Sequence, residues 1–527
     1  MNKKIRKVFK KTFSLYLILG IVGSLISTLN IHFLQKILDH RHILWVVSYA
    51  CTLLLGPIIA YVAEYSESYL EYGLVYFLKT EALKKVAVID YQKYLAIRPE
   101  KLLQRIEAGA TAGRNIYVHF YGRILRELVP EMCFTLLFVL FINPYLLGLI
   151  LVGYMIIFGF TKLLLKFLYS LKETILNNEE ELTSIFVRGL TELVALRVNK
   201  KYQSEIERYQ QLSVESVRTA TKMRMIHEFF FACFAILMAI LKIILVGLFF
   251  SGKLNLSLGS FVALLAYVDR IYQPIAVVNV LFVQYQLDQT AYQRLKEVYA
   301  SAEDEKFYGD QQLTGVDTIT IKNMSFSIEQ QAIFTNFSAV FEKGKIYALV
   351  GKSGTGKSTL FRLLLGLFSV DSGEISYNQQ SLHDLNIQSV YEKVSYISQD
   401  VPIFADTLRE NICLGKDVSD EEIEVVLEKC QLLSFYQQLP DKLATKLGPH
   451  LETLSGGERQ RIAFARLFFS EADVILLDEA TSALDRQTAK RVLSELVEIF
   501  EHKIVLMITH KLDDLQFVDE VVYIEKL

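Results

Sequence analysis

Gly351-Lys352-Ser353-Gly354-Thr355-Gly356-Lys357-Ser358 follows the spacing GxxxxGK[ST]. Glycines at these positions let backbone N–H groups close around phosphate oxygens. Ile346–Val350 reads as a strand and Thr359–Leu367 as a helix, so the helix N-terminus faces the negative charge. Ser353, Gly354, Thr355, Gly356, Lys357, Ser358 and Thr359 are the expected lining of this cradle. Lys357 neutralises the β- and γ-phosphates, and the Ser358 hydroxyl binds Mg²⁺. The plainer alternative is a Gly-rich strand–helix turn with no ligand. The strand before and the helix after argue against it.

Two further segments carry chemistry. Val474-Ile475-Leu476-Leu477-Asp478-Glu479 is an apolar strand ending in two carboxylates. Ligands bind at the C-terminal edge of open α/β sheets, where such a strand delivers Asp478. Asp478 would hold Mg²⁺ through water, and Glu479 would polarise the water that attacks the phosphate. Leu454-Ser455-Gly456-Gly457-Glu458-Arg459-Gln460-Arg461 precedes an apparent helix, Ile462–Phe469. A Ser hydroxyl, two glycines and a helix N-terminus make a second anion cradle. One nucleotide does not need two cradles. Two copies of the chain would, if each closed on the other's γ-phosphate. The alternative is a helix N-cap by Ser455 with permissive glycines.

The elements that must position these residues are of two kinds. The chain has 527 residues, a formal net charge of −2, 52% hydrophobic residues and five cysteines. Near-neutral charge gives no footprint for nucleic acid, and the apolar content excludes disorder. Five cysteines without a CxxC pair form neither a disulfide framework nor a zinc framework. From about Asp317, short β-branched runs alternate with helical segments: Thr318–Ile321, Lys345–Val350, Val394–Ile397, Val474–Leu477 and Ile504–Ile508. That pattern implies an α/β domain with a largely parallel sheet.

The first 300 residues differ. Uncharged runs of 24, 22 and 30 residues lie between Lys11 and Lys36, Arg41 and Glu64, and Glu131 and Lys162. A bilayer crossing needs about 20 such residues. The third run is read as two spans joined at Asn143-Pro144. Six spans follow, at about 12–35, 42–63, 124–142, 144–165, 229–251 and 258–281. Lys3, Lys4, Arg6, Lys7, Lys10 and Lys11 place the N-terminus in the cytoplasm. The first run is too long for a signal-peptide core and is read as a span. Outer connections are short. The inner ones, about 65–127 and 163–228, read as helical extensions with tips near Asp90–Arg98 and Leu196–Tyr202. The division is 1–300 for the membrane domain, 301–315 for a linker and 316–527 for the nucleotide-binding domain.

Together these residues resemble a half-transporter of the ATP-binding-cassette (ABC) exporter family. Leu454–Gln460 is similar to the family signature, and Gln399 in Ser398-Gln399-Asp400 to its Q-loop. Thr407–Ile412 resembles the exporter-type segment that follows the Q-loop. Ser482-Ala483-Leu484-Asp485 resembles the D-loop, and Thr509-His510-Lys511 the switch-histidine loop. Taken singly, Gln399 and His510 read as solvated surface residues. Only the joint pattern says otherwise. The fold implied is an α-helical membrane domain with six transmembrane helices and long cytoplasmic extensions, followed by an α/β P-loop NTPase domain of ABC type. The resemblance implies ATP and Mg²⁺ as cofactors. It makes Gln399 a contact to Mg²⁺ and His510 a contact to the γ-phosphate. Ser455, Gly456 and Gly457 would bind the ATP held mainly by a partner subunit, and Asp485 would couple the two sites. In the family the second tip meets its own subunit's nucleotide domain and the first docks into the opposite one.

The sequence departs from the family in places. Ile328 stands where an aromatic ring usually stacks on adenine, which predicts weaker base selectivity. Gly448-Pro449-His450-Leu451 replaces a usual Gly-Glu-Arg-Gly. The chain stops at Tyr523–Leu527, ahead of the expected final helices, and carries no N-terminal peptidase domain. All catalytic positions are kept, which favours a homodimer over a heterodimer. Within the spans, Glu131, Lys242, Asp269 and Arg270 face a cavity or a partner or, for Glu131 and Lys242, snorkel to the interface. Tyr267, Tyr272 and Gln273 line the same cavity or pack.

The expected function is ATP-driven export of a small molecule, lipid or peptide by alternating access. The setting is a lipid bilayer, in a bacterial cell membrane, with the ATPase domain in the cytoplasm and no nucleic acid. The alternatives are a metal-chelate importer on the same architecture and a non-transporting regulatory membrane ATPase.

Overall fold

The computed structural model describes residues 2–97, 99–328, 331–448 and 454–524. The chain divides into two compact units, residues 1–85 with 99–300 and residues 86–98 with 301–527.

The first unit is helical. In chain order the helices are α1 (Asn2–His40), α2 (Ile43–Val86), α3 (Tyr91–Ile97), α4 (Pro99–Arg114), α5 (Val129–Ile142), α6 (Pro144–Thr191), α7 (Leu193–Val198), α8 (Tyr202–Phe250) and α9 (Leu258–Ala300). Of these, α3 belongs to the second unit. Two π-helical segments, Asn115–Gly122 and Ile124–Leu128, join α4 to α5. Among the described residues, Lys3–His40, Ile43–Val86 and Tyr202–Phe250 are long and apolar enough to cross a membrane. Each of the six spans read from the sequence falls on helical residues, apart from His42 and Ser251 at two span ends. The long inner connections are helical too, so α6 and α8 run as 48- and 49-residue rods.

The short connections have local causes. Asn143 leaves α5 in an extended conformation, and its Oδ1 accepts from the backbone N–H of Tyr145 at 2.9 Å. Pro144 takes the first helical position of α6, where a missing N–H costs nothing. At the other short turn, Asp39 accepts from Ser257 Oγ at 2.8 Å and from the Gly259 N–H at 2.9 Å. A Cβ on Gly259 would lie 2.4 Å from the Gln35 carbonyl oxygen, so glycine lets α1 and α9 approach.

The four ionisable residues singled out in the spans form two ion pairs. Arg270 Nε donates to Glu131 Oε1 at 2.7 Å, and Lys242 Nζ lies 2.6 Å from Asp269 Oδ1. Arg270 also bonds the Ser27 hydroxyl. Adjacent residues on a helix point in different directions, so Asp269 and Arg270 pair with different helices rather than with each other. Pairing, not snorkelling, satisfies Glu131. Tyr267 and Tyr272 pack: both are buried, and Tyr272 donates to the Ile150 carbonyl at 2.8 Å. The Gln273 side chain lies outside what is described.

The second unit holds two sheets. In order its elements are β1 (Thr318–Ile328), β2 (Gln331–Glu342), β3 (Lys345–Val350), α10 (Lys357–Leu364), β4 (Ser372–Tyr377), β5 (Gln380–Ser381), α11 (Ile387–Lys393), β6 (Val394–Ile397), α12 (Leu408–Cys413), α13 (Asp420–Lys429), α14 (Leu433–Gln438), α15 (Gly456–Phe468), β7 (Val474–Asp478), α16 (Arg486–Phe500), β8 (Ile504–Ile508) and β9 (Glu520–Tyr523). The parallel sheet has the order β6-β7-β8-β3-β9. Its central strands are buried on both faces, and alternate residues feed two cores. Ile475, Leu477, Val505 and Met507 enter one core, and Val474, Leu476, Ile504 and Leu506 the other. The antiparallel sheet β2-β1-β4-β5 was not read from the sequence. Register shifts along β1 break the alternation that would have revealed it.

The first tip is anchored within its own chain. Residues 86–98 cluster with the nucleotide-binding unit of their own chain. The Asp90 N–H donates to the Ala302 carbonyl at 3.2 Å, and the Asp304 N–H to the Val88 carbonyl at 2.9 Å. The Tyr91 ring lies 5.7 Å from that of Phe368. These bonds tie the tip to the nucleotide-binding unit of its own chain, beside the expected docking into an opposite one. Residues 301–315, read as a linker, cluster with this unit.

Candidate functional site

The phosphate loop sits between β3 and α10, as its spacing requires. Helix α10 begins at Lys357 rather than Thr359, because Gly356 at φ +97° is its left-handed N-cap. Gly354 also has positive φ, at +79°. A Cβ on Gly356 would come within 2.5 Å of Ile333, so shape and backbone both demand glycine. Lys357 is buried, and its Nζ donates to the carbonyls of Gly351 and Lys352 at 2.9 Å each. Burial holds its pKa below the ordinary lysine value, while Glu479 and Asp478 pull the other way. Ser353, Thr355 and Thr359 lie on the same loop and first helical turn.

Strand β7 carries Asp478 and Glu479 to this loop. Ser358 Oγ donates to Asp478 Oδ1 at 3.0 Å, and Tyr396 OH to Asp478 Oδ2 at 3.3 Å. Asp478 is buried, and desolvation raises its pKa while the Ser358 and Tyr396 hydrogen bonds oppose the rise. A hydroxyl and a carboxylate oxygen in contact are the donors a hard divalent cation takes, so Ser358 and Asp478 fit Mg²⁺.

Glu479 is held from two sides. Gln399 Nε2 donates to Oε2 at 3.0 Å, and His510 Nε2 lies 3.4 Å from Oε1. Its backbone is at φ +48°, a left-handed conformation rare for a non-glycine residue. The Glu479 N–H bonds the Ile508 carbonyl at 3.0 Å, which fixes this turn to β8. Strain of this kind, of order 1–3 kcal/mol, persists only where surroundings impose it, and it clusters at active sites.

The signature segment forms an N-terminus of its own. Helix α15 begins at Gly456, six residues before the expected start. Ser455 caps it in a reciprocal box: Ser455 Oγ accepts from the Glu458 N–H at 3.2 Å, and Glu458 accepts from the Ser455 N–H at 2.7 Å. The N-cap reading of Ser455 therefore holds for this chain by itself. Gln460, which the sequence reading did not single out, ties α15 to the D-loop. It donates to Ser482 Oγ and accepts from the Ala483 N–H, each at 2.9 Å, and reaches the Glu479 carbonyl at 3.4 Å. Asp485 caps α16, accepting from the N–H groups of Gln487 and Thr488 at 3.0 Å. The Thr488 bonds hold its pKa below the ordinary aspartate value.

The structure thus gathers Lys357, Ser358, Asp478, Glu479, Gln399 and His510 into one constellation. Ser455, Gly456, Gly457 and Asp485 stand on separate helix N-termini of the same unit. Ile328 is exposed at the end of β1. Pro449, His450 and Leu451 lie outside the described residues. Tyr396 and Asp514 were also missed. Buried Asp514 accepts from Thr481 Oγ1 at 2.7 Å and Thr509 Oγ1 at 2.6 Å, locking the D-loop side to the histidine loop. Tyr396 had a signal, since it lies three residues before Gln399 on the strand beside β7.

Comparison with known proteins agrees with this geometry. Residues 334–482 match the family described as ABC transporter. The chain is 36% identical over 277 residues to an ATP-dependent lipid A-core flippase 2 of Colwellia psychrerythraea, covering 52% of this chain and 47% of that protein. It is 31% identical over 288 residues to an uncharacterized ABC transporter ATP-binding protein of Bacillus subtilis, covering 54% of this chain and 50% of that one. The chain spans about half the length of the curated relatives it matches. In fold it is similar to a bacterial Atm1-family ABC exporter solved with ATP bound, with a TM-score of 0.83 and 19% identity over 99% of this chain and 94% of that one.

Proposed function

We propose that this chain, which joins an ATP-binding domain of the ABC transporter family to the fold of an ABC exporter, is one half of an ATP-driven exporter. The observation that supports this most is the grip of Gln399 and His510 on the two oxygens of Glu479, beside a complete phosphate loop. A carboxylate that is oriented but not neutralised by a cationic side chain within its own loop is suited to take a proton from water. Mg²⁺, held by Ser358 and Asp478, supplies charge neutralisation for the phosphates when bound. Lys357 exchanges its loop carbonyls for phosphate oxygens. Glu479 polarises the attacking water, and His510 steadies the γ-phosphate. Gln399 orients Glu479.

Two copies complete the machine. The Ser455-Gly456-Gly457 N-terminus of each chain closes on the nucleotide of the other. ATP burial between the copies favours the closed pair, and hydrolysis removes the two-sided clamp. The retained catalytic set favours a homodimer. Segment 86–98 carries the motion from its own nucleotide-binding unit into α2 and α4, and the cargo moves outward across a bacterial cell membrane with the ATPase units in the cytoplasm.

The test is flux in sealed proteoliposomes of the purified protein. ATP supplied on the side of the nucleotide-binding units must drive a cargo away from that side, and a Lys357→Ala variant must not. Cargo moving towards the ATP side, or ATP turnover with no cargo moved across a broad lipid and small-molecule panel, would count against export.

A further inference from the structure

The helical unit holds a cavity that the ATP chemistry does not use. It has a volume of about 210 Å³ and is lined by Asn115, His119, Phe120, Gln284, Tyr285 and Asp288, among others. All of these lie on the π-helical segment Asn115–Gly122 and on α9. Single π turns inside helices occur frequently at functional sites.

Asp288 is the unusual member. It is only 8% exposed, yet its oxygens accept from neutral amides: Asn115 Nδ2 at 3.2 Å and Gln284 Nε2 at 3.1 Å. The neighbouring basic side chains make their direct contacts with other residues. Arg114 donates twice to Asn115 Oδ1, at 3.2 and 2.9 Å, so the amide stands between guanidinium and carboxylate. His119 Nε2 lies 3.1 Å from Glu71 Oε1. Among the described residues, Asp288 has no ion-pair partner. A buried carboxylate without a direct ion pair is costly, and Arg114 and His119 offset only part of that cost, so a cation arriving in the cavity relieves the rest. Burial pushes the Asp288 pKa up, while the Gln284 and Asn115 hydrogen bonds and the Arg114 and His119 side chains oppose the rise.

The second feature is aromatic. Phe120 and Tyr285 stack with centroids 4.1 Å apart, and Tyr285 OH lies 3.1 Å from Tyr121 OH. Rings of this kind attract a cation placed over their faces, most strongly when it is desolvated. A carboxylate and a ring pair on one small cavity select a positive charge carried on an organic body. The volume suits a head group rather than a whole drug-sized molecule, for which pockets of about 300–1,000 Å³ are usual.

We propose that this cavity binds an organic cation, a quaternary or aromatic ammonium group paired with Asp288 and seated against Phe120 and Tyr285.

The test is equilibrium binding of radiolabelled benzyltrimethylammonium to the full-length protein in phosphatidylcholine nanodiscs, without nucleotide. Benzenesulfonate serves as an anion of similar size. The wild type should bind the cation saturably at one site per chain and not bind the anion. Asp288→Asn should weaken the cation at least roughly tenfold, and Tyr285→Leu should weaken it by a smaller factor. The exposed control Asp310→Asn should leave it unchanged. ATP binding to each variant checks its folding. Equal cation binding by Asp288→Asn, or equal binding of the anion by the wild type, would overturn the proposal. Because the assay needs no nucleotide, absence of ATP-driven flux would defeat the exporter reading without touching this result.

Discussion

Gln399 and Glu479 meet side chain to side chain at 3.0 Å, joining the segment after β6 to the end of β7. The amide donates, so it orients Glu479 as a proton acceptor without adding a charge. Gln399 is therefore a positioning residue for the base as well as the expected Mg²⁺ contact.

Replacing Gln399 with Ala should lower kcat by roughly 10- to 100-fold, as a small misplacement of a reacting group does. KM for ATP should change little, because the phosphate loop is untouched. Steady-state ATPase assays separate the two. A KM effect with normal kcat would move Gln399 from orientation to binding.

Tyr396 should control the acid side of the pH profile. Its hydroxyl bonds Asp478 and helps to keep that carboxyl ionised, against a desolvation that raises its pKa. Tyr396→Phe removes the opposing bond, so the Asp478 pKa rises further. The ionised form is then lost at higher pH as pH falls. The acid limb of ATPase activity should shift upward while the alkaline side stays in place. An unmoved acid limb would detach Tyr396 from Asp478.

Gln460 bridges the signature helix to Ser482, Ala483 and the Glu479 carbonyl within one chain. If the signature of each copy serves the nucleotide of the other, this bridge links the two sites. Gln460→Ala should lower the Hill coefficient for ATP towards one, with each site still able to bind nucleotide. The rate dependence on ATP concentration reads this directly. Unchanged cooperativity would mean that Gln460 only packs.

How much of this was legible depended on sequence distance. The glycines, Lys357, Ser358, Asp478 and Glu479 were readable because each acts within a short local pattern. The Ser455 cap was also in view, since Glu458 follows at the spacing of a capping box. The roles of Gln399 and His510 came from resemblance alone, because their meeting at Glu479 depends on the strand order β6-β7-β8. The partners of Tyr396 and Gln460 were hidden for the same reason, although one lies three residues before Gln399 and the other within the signature segment. Glu131, Lys242, Asp269 and Arg270 stood out as charges in apolar runs, but their partners lie on helices distant in sequence. The tie of the first tip to its own unit was hidden because its anchor, the Tyr91–Phe368 contact, joins residues whose nearness no periodicity signals.

The Glu131–Arg270 pair makes a prediction about stability. Its side chains are 15% and 18% exposed, so removing one partner strands the other charge. Glu131→Ala should cost about 3 kcal/mol or more. The double variant with Arg270→Ala should cost less than the sum of the two single changes. Asp269→Asn should cost less, because that pair is more open to its surroundings. Thermal unfolding in one detergent compares all four, and additive losses would argue against a coupled pair.

The central claim is that Glu479 is the base of an ATPase on an exporter fold. Its most direct test is turnover by Glu479→Gln protein in lipid nanodiscs, measured beside nucleotide binding. The amide keeps the size and one hydrogen-bonding oxygen but cannot accept the proton. The account predicts normal ATP binding, phosphate release slowed by about 10²- to 10⁴-fold, and ATP retained in a closed pair. Turnover within a few-fold of the unaltered protein would contradict it.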